Sequence, residues 1–323
     1  MSFSRRTLLQ LAAGAAALPA ASLHARAQDY PARPVRLLVG LPAGGTIDLI
    51  TRITGQWLAD RLGQAFAVEN RPGAGGNLGA EALVNSTPDG YTLFMGTAAN
   101  AVNATLFKEL SYDFIRDTAP IAAVTRIPNI LIVRSAFPVH SVAELIAKAK
   151  AGPLAIATPT SGTPPYMAAE LFKMMAGIDA VIVPYRAEAQ MVTDLLGGQV
   201  DVAFGGIAAS IGQIKAGTVR LVAVGTAARL NEFPDVPTVG ETVAGFEATG
   251  WCGLVAPAKT PPSIIERLHD VANAGLADAA MQRRYAELGV EAFPLSRAAF
   301  GAFIAAETEK WGKVVRAAGL KPE

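Results

Sequence analysis

Apolar runs that stop at small, glycine-bearing loops and resume at helical spacing recur along this chain, and that alternation restricts the fold more than any single residue. The first instance is Leu37–Arg52. Val35, Leu37, Leu38 and Val39 end at Pro42 and the pair Gly44-Gly45, and Ile47, Ile50, Ile53 and Trp57 follow at helical spacing. The pattern predicts strand, tight loop, helix. The glycines let the backbone turn sharply and approach a ligand, while the free N–H groups of the helix start carry the positive end of its dipole outward. Two readings stand here: an anion site, or only the glycine that any strand-to-helix turn needs.

The same unit repeats in variation. Phe66-Ala67-Val68-Glu69 predicts a strand leading into Asn70-Arg71-Pro72-Gly73-Ala74-Gly75-Gly76-Asn77 and a short helix from Ala80 to Val84. That loop lacks the Gly-Lys-Ser/Thr ending of a P-loop, so it gives nucleotide binding little support. The strand Tyr91–Met95 ends in Gly96-Thr97-Ala98-Ala99-Asn100, which opens another helix. Between Ile121 and Val133 two apolar runs, broken at Pro128-Asn129, read as a chain passing from one sheet into another. Ser141 and Glu144 are spaced as a capping box for a helix ending near Gly152. The strand Leu154–Thr158 leads into Thr160-Ser161-Gly162-Thr163-Pro164-Pro165, whose prolines suit the first turn of a helix Tyr166–Ala176.

Strand and helix then alternate through Ala180–Tyr185, Gln190–Leu196, Asp201–Gly206, Ala208–Ala216 and Leu221–Gly225. A strand around Trp251–Val255 precedes three helical segments, about Ser263–Leu276, Ala279–Leu288 and Ala298–Val315. No repeat is visible at periods of roughly 20 to 50 residues. The whole predicts mainly parallel sheets covered on both faces, with ligands beyond the strands' carboxyl ends, where the small polar loops fall.

Met1–Ala27 predicts an export signal: Arg5 and Arg6, the apolar run Leu8–Leu18, then Ala25-Arg26-Ala27 with cleavage after Ala27. Ser4-Arg5-Arg6-Thr7-Leu8-Leu9 also resembles a twin-arginine signal, although Gln10 stands where a lysine is common, so both export routes stay open. Either route ends in the periplasm. Cleavage removes three arginines from 28 basic residues against 27 acidic ones, leaving 25 against 27 and a formal charge of −2. No basic run survives the cut, which argues against nucleic acid as a partner. No later stretch approaches the roughly 20 apolar residues that span a bilayer. The remaining 296 of 323 residues suffice for two domains.

Cys252 is the single cysteine, so no internal disulfide forms even in an oxidising compartment, and its apolar neighbours predict a buried, inert thiol. His140 sits beside a helix cap and His269 within a helical pattern. Neither has a metal-ligand neighbour at usable spacing, so neither a metal nor any other cofactor is expected.

The segments LPAGGTIDLITR, VENRPGAGGNLGAEALVNSTPDGYTLFMGT, VPYRAEAQMVTDLLGGQVDVAFG, FPDVPTVGE and ATGWCGLVAPAKTPPSIIERL together strongly resemble the periplasmic solute receptors of tripartite tricarboxylate transporters, the Bug receptors. The resemblance covers essentially the whole mature chain. It implies an α/β fold of the two-lobed, Venus-flytrap (type II-like) periplasmic binding protein kind, with a cleft that closes on one ligand. Lobe one would hold residues 29–127 and 249–323, and lobe two residues 128–248. The ligand would be a small carboxylate (a di- or tricarboxylate, an acidic amino acid or an aromatic acid) held through backbone amides and water. The partners would be the membrane subunits of such a transporter, the receptor itself being a non-catalytic monomer.

Carried over residue by residue, the site falls on Ala43, Gly44, Gly45, Thr46 and Asp48, on Thr97, Ala99 and Asn100, on Ser161, Gly162 and Thr163, and on Phe204 and Gly205. Asp48 has two roles open, orienting the first loop or serving as a plain helix cap. Two departures bear on the ligand. Tyr166 stands where the family usually has a histidine, and Ala187-Glu188 where it usually has a Gly-Ser pair. Tyr166 is a candidate to stack on or bond to an aromatic or longer acid, and Arg186 to pair with a second carboxylate. Glu188 would deter extra negative charge, or pair with Arg186 on the surface. Two other functions remain: a sensor that uses the same cleft for a signalling partner, and a hydrolase using Ser161 or Cys252. The hydrolase lacks both a recognisable base and a G-x-S-x-G elbow.

Overall fold

The computed structural model describes residues 30–321. The export signal, its cleavage site and Asp29 lie outside the described residues. From the N-terminal side the chain builds β1 (Val35–Val39), α1 (Thr46–Leu62), β2 (Phe66–Asn70), a 3-10 turn (Ala74–Gly76), α2 (Asn77–Val84), β3 (Thr92–Thr97), α3 (Ala98–Leu106) and α4 (Phe114–Asp117). The long β4 (Thr118–Arg134) leads to α5 (Val142–Ala151), β5 (Ala155–Pro159), α6 (Pro164–Ala176), β6 (Val181–Tyr185), α7 (Glu188–Gly197), β7 (Val202–Gly206), α8 (Ile207–Lys215) and β8 (Val219–Val224). A second 3-10 turn (Val239–Glu241), β9 (Thr249–Pro257), α9 (Pro262–Leu276), α10 (Ala279–Glu287), β10 (Glu291–Ala292) and α11 (Arg297–Ala317) complete the order.

The strands run β2-β1-β3-β9-β4-β7-β5-β6, with β8 and β10 also paired to β4. Parallel strand pairing among the described residues makes up the two wings, β2-β1-β3 and β7-β5-β6, with one isolated parallel bridge, Val224 to Thr238, beyond them. The centre is antiparallel, because β9 inserts between β3 and β4, and β7, β8 and β10 all meet β4 in antiparallel sense. The expectation of mainly parallel sheets is therefore corrected. Alternation along the chain governs the wings, whereas β9 returns from far along the sequence.

The passage expected between Ile121 and Val133 is present, but without a break: one strand serves two sheets. Its first part pairs with β9 as far as Pro128 opposite Thr249. From Asn129 and Ile130 onward it pairs with β7 and β8 instead. Ile130, Leu131, Ile132 and Val133 are fully buried, which explains a continuous apolar run rather than an alternating one. The chain's return crossing is tied to the same point. The Gly225 N–H donates to the Asn129 carbonyl at 2.8 Å, the Ala248 N–H to the Gly225 carbonyl at 2.8 Å, and Asn129 Nδ2 to the Ala248 carbonyl at 3.1 Å. Gly225 is required by close approach, since a β-carbon there would lie 2.5 Å from the Ala248 oxygen.

Helices cover the sheets, and burying each large apolar side chain contributes about 1.5–3 kcal/mol. One buried cluster contains Val35, Leu37, Ile50, Leu58, Leu254 and Tyr285. Another joins Phe94, Trp251, Phe300 and Trp311 to Phe172, Phe204 and Phe246. The C-terminal α11 thus takes part in a core that runs from β3 and β9 to α6 and β7. No helix among the described residues is long and apolar enough to cross a membrane.

Candidate functional site

A cavity of about 620 Å³ opens at the carboxyl ends of the strands, on both sides of the point where β4 exchanges partners. One wall is made by Thr46 and Ile47 at the start of α1, by Ala74 and Gly75, and by Thr97, Ala98 and Ala99 at the start of α3. The facing wall is made by Thr160–Pro165 ahead of and within the first turn of α6, by Glu188 opening α7, and by Gly206 and Ile207 at the start of α8. The floor is the crossing itself: Ile127, Asn129, Gly250 and Trp251. Leu41, Leu106 and Phe107 add apolar surface.

Helix starts converge here because each strand-to-helix unit turns at the same end of its sheet. The N-caps of α1, α6 and α8 are Gly45, Thr163 and Gly206, and none makes a side-chain capping bond. First-turn N–H groups without an internal partner seek an acceptor, and the helix dipole favours an anionic one. α6 offers fewer such donors, since Pro164 and Pro165 occupy its first two positions and carry no N–H.

The loop before α1 is held from below. Gly44 takes a left-handed φ of +82°, and its N–H donates to Asp48 Oδ2 at 2.9 Å. Arg52 reaches both oxygens of Asp48, at 3.0 and 3.1 Å, and Asn70 Nδ2 donates to Oδ1 at 3.0 Å. Burial by itself would push the Asp48 carboxyl up, but the bonds from Arg52, Gly44 and Asn70 outweigh it and hold the carboxyl below the ordinary aspartate range. Asp48 therefore shapes the loop and stands away from the cavity wall.

Among the described residues Glu188 is the one carboxylate in the wall. Its Oε1 accepts from the Gly206 N–H at 3.3 Å. Burial raises its pKa, and the bond from Gly206 only partly opposes this. Among the described residues no Lys, Arg or His forms a salt bridge with it; Arg186 is exposed, outside the lining and likewise without an ion pair. The surface pairing of Arg186 with Glu188 is thus replaced by a contact across to the next strand.

Of the residues nominated from sequence, Thr46, Thr97, Ala99, Ser161, Gly162 and Thr163 come together around the cavity. Ala43, Gly44 and Gly45 are exposed in the adjoining loop. Asn100 is buried behind the wall, with Oδ1 accepting from the Thr97 N–H at 2.9 Å. One turn on, Asn103 takes the wall position, bonded to the Gly75 carbonyl at 3.0 Å and to Asn77 Oδ1 at 2.9 Å. Its spacing of four from Ala99 was the available signal. Tyr166 is turned into the core, its hydroxyl 3.2 Å from Glu170 Oε1. Phe204 is fully buried against Phe172, and Gly205 pairs with Ile130, so Gly206 is the residue of this strand that meets the cavity.

Ser161 lines the cavity, while neither described histidine does. His140 is exposed and its backbone N–H donates to Glu144 Oε2 at 2.7 Å, and His269 Nδ1 lies 2.6 Å from the Ile121 carbonyl. Cys252 is buried beside Thr125, and burial pushes its thiol up to about 12. Among the described residues no three His, Cys, Asp or Glu side chains gather as metal ligands.

The family model described as tripartite tricarboxylate transporter family receptor matches residues 50–320. BugT of Bordetella pertussis is 34% identical over 300 residues, covering 91% of this chain and 92% of that one. A solved structure described as R. palustris Rpa4515 with adipate is 34% identical with a TM-score of 0.76, over 91% of this chain and 100% of that one. MatC from Rhodopseudomonas palustris with bound malate is 28% identical with a TM-score of 0.72, over 88% and 100%.

Proposed function

The chain belongs to the tripartite tricarboxylate transporter receptor family, a family of periplasmic solute-binding receptors, and from that premise we propose that it holds a small carboxylate in the interlobe cavity and delivers it to the membrane subunits of such a transporter. The observation that carries this reading is the convergence of the starts of α1, α3, α6 and α8 on one cavity. These starts offer an anion N–H donors and aligned dipoles, and among the described residues Lys321 is the one basic residue that joins the lining. The structures with adipate and malate support the same ligand class for this chain.

Lobe one is taken as residues 29–127 plus 249–323 and lobe two as 128–248, divided where β4 exchanges β9 for β7 and β8. The ligand bridges loops of both lobes, so it favours the closed form by its differential affinity for that form. Binding is non-catalytic: the acid is retained by backbone amides and water and released unchanged to the membrane partner. The chain acts as a monomer, cut after Ala27. Titrating the mature protein with di- and monocarboxylates, amino acids and sugars while recording Tm tests the reading. A ligand at 100 times its Kd adds about 2.7 kcal/mol. A carboxylate should raise the midpoint and sugars should not, while a response to sugars alone overturns the ligand class.

A further inference from the structure

We propose that Glu188 is a specificity-determining residue that fills the second anion position of the cavity, so that the ligand carries one carboxylate on an apolar body. The inference rests on the receptor reading above. Glu188 opens α7 and reaches over the end of β7, where its Oε1 meets the N–H of Gly206, the N-cap of α8. A β-carbon at Gly205 or Gly206 would come within 4.0 or 3.7 Å of that oxygen, which places the carboxylate directly over these two glycines. The helix start that lobe two would offer to an anion is therefore already covered by one of the protein's own.

The remaining surface points the same way. α6, another helix start in this wall, has lost two donors to Pro164 and Pro165. Lys321 is the one basic residue of the lining among the described residues, and neither it nor any other described cation forms an ion pair with Glu188, so no ion pair neutralises that carboxylate against an incoming one. Two like charges in a partly dry cavity repel, and the raised pKa of Glu188 reflects how poorly the site accommodates even one. Across the cavity the starts of α1 and α3 have no carboxylate at the wall, since Asp48 is engaged beneath its loop. A ligand carboxylate settles there, and its body extends over Ile47, Ile127, Leu106, Phe107 and Trp251 toward Glu188.

Calorimetry on the mature protein with two matched pairs, hexanoate against adipate and benzoate against terephthalate, tests this. Glu188→Gln keeps the shape and the acceptor for Gly206 while removing the charge, and Glu188→Ser serves as a second variant should the first fail to fold. The expected result is a preference of tenfold or more for the monoacid in the wild type. In the variant that preference should fall at least tenfold by gain of diacid affinity, with monoacid affinity kept within threefold. A wild type that prefers the diacid, or a preference unchanged by the substitution, overturns the role of Glu188 and leaves the receptor reading standing. Failure of every acid to bind either folded protein overturns the receptor reading itself, and this inference with it.

Discussion

The indole N–H of Trp251 donates to Oε2 of Glu307 across 3.1 Å, linking the floor of the cavity to α11. The same oxygen accepts from the Trp311 indole at 2.9 Å, and Lys310 pairs with the other oxygen. Both indoles are 1% exposed and Glu307 is 6% exposed, so neither N–H has water as an alternative. A carboxylate serves two donors at one point, which a neutral amide does less strongly.

Replacing Glu307 by Leu should therefore be costly although Leu is apolar and the site is buried. Two buried donors would be left without acceptors at about 1–3 kcal/mol each, for an expected loss of about 3 kcal/mol. Urea unfolding with an unchanged slope checks it, and a loss below about 1 kcal/mol would mean that the indoles find other acceptors.

Asp48 predicts a pH dependence. Its folded carboxyl sits below the ordinary aspartate range, so its contribution is fully present above the unfolded value of about 3.9 and is lost as pH falls through the folded value. Asp48→Asn should be less stable than the wild type at pH 7 by about 1–2 kcal/mol. The figure is modest because Arg52 is 50% exposed and water screens the pair. The gap between the two proteins should narrow as the pH is lowered below 4, by denaturant titration at each pH. Because Asp48 holds the Gly44 amide, the variant should also bind its carboxylate more weakly.

Much of this architecture is legible in the sequence because local rules govern it. Pro164-Pro165 at a helix start, the glycine-rich turns and the change of pattern at Pro128 each express a backbone constraint within a few residues. The insertion of β9 between β3 and β4 has no such local sign, since its partners lie more than a hundred residues away. The site divides in the same way. Helix starts are marked by small residues, so Thr46, Thr97 and Thr163 are found. Ile127 and Trp251 read as ordinary core, because an apolar side chain facing a cavity has the same pattern as one facing a helix. Arg186 and Glu188 look like neighbours on paper, yet the turn into α7 sends Glu188 to Gly206 and leaves Arg186 exposed.

Gly225 tests the crossing. Both atoms that a new β-carbon would strike, the Ala248 oxygen at 2.5 Å and the Asn129 oxygen at 3.3 Å, belong to backbone, so no side chain can move aside. Gly225→Ala should cost about 1–3 kcal/mol, the range for overpacking. Gly152→Ala is the control, since nothing lies within 4 Å of its β-carbon and its φ of −179° suits any residue. If the crossing is the hinge, the first variant should also show a smaller decrease in radius of gyration by X-ray scattering when a ligand is added, and the control should match the wild type.

Trp251 supplies an optical reading of the same event. It lies in the cavity lining opposite Arg126, one pair from Ile127 and Gly250 where β4 and β9 reach the crossing. Of the other two tryptophans, Trp311 is buried in α11 and Trp57 stacks under Arg61 on α1, and neither lines the cavity. An acid bound in this cavity would meet Trp251 and neither of the other two tryptophans, so intrinsic fluorescence should shift on titration with a bound acid. In Trp251→Phe the shift should disappear while calorimetry still reports binding. Trp311 continues to occupy Glu307 in that variant, so the expected cost is only about 1–3 kcal/mol and the protein stays folded. A fluorescence change that survives Trp251→Phe would place the ligand against another tryptophan and remove this cavity as the binding site.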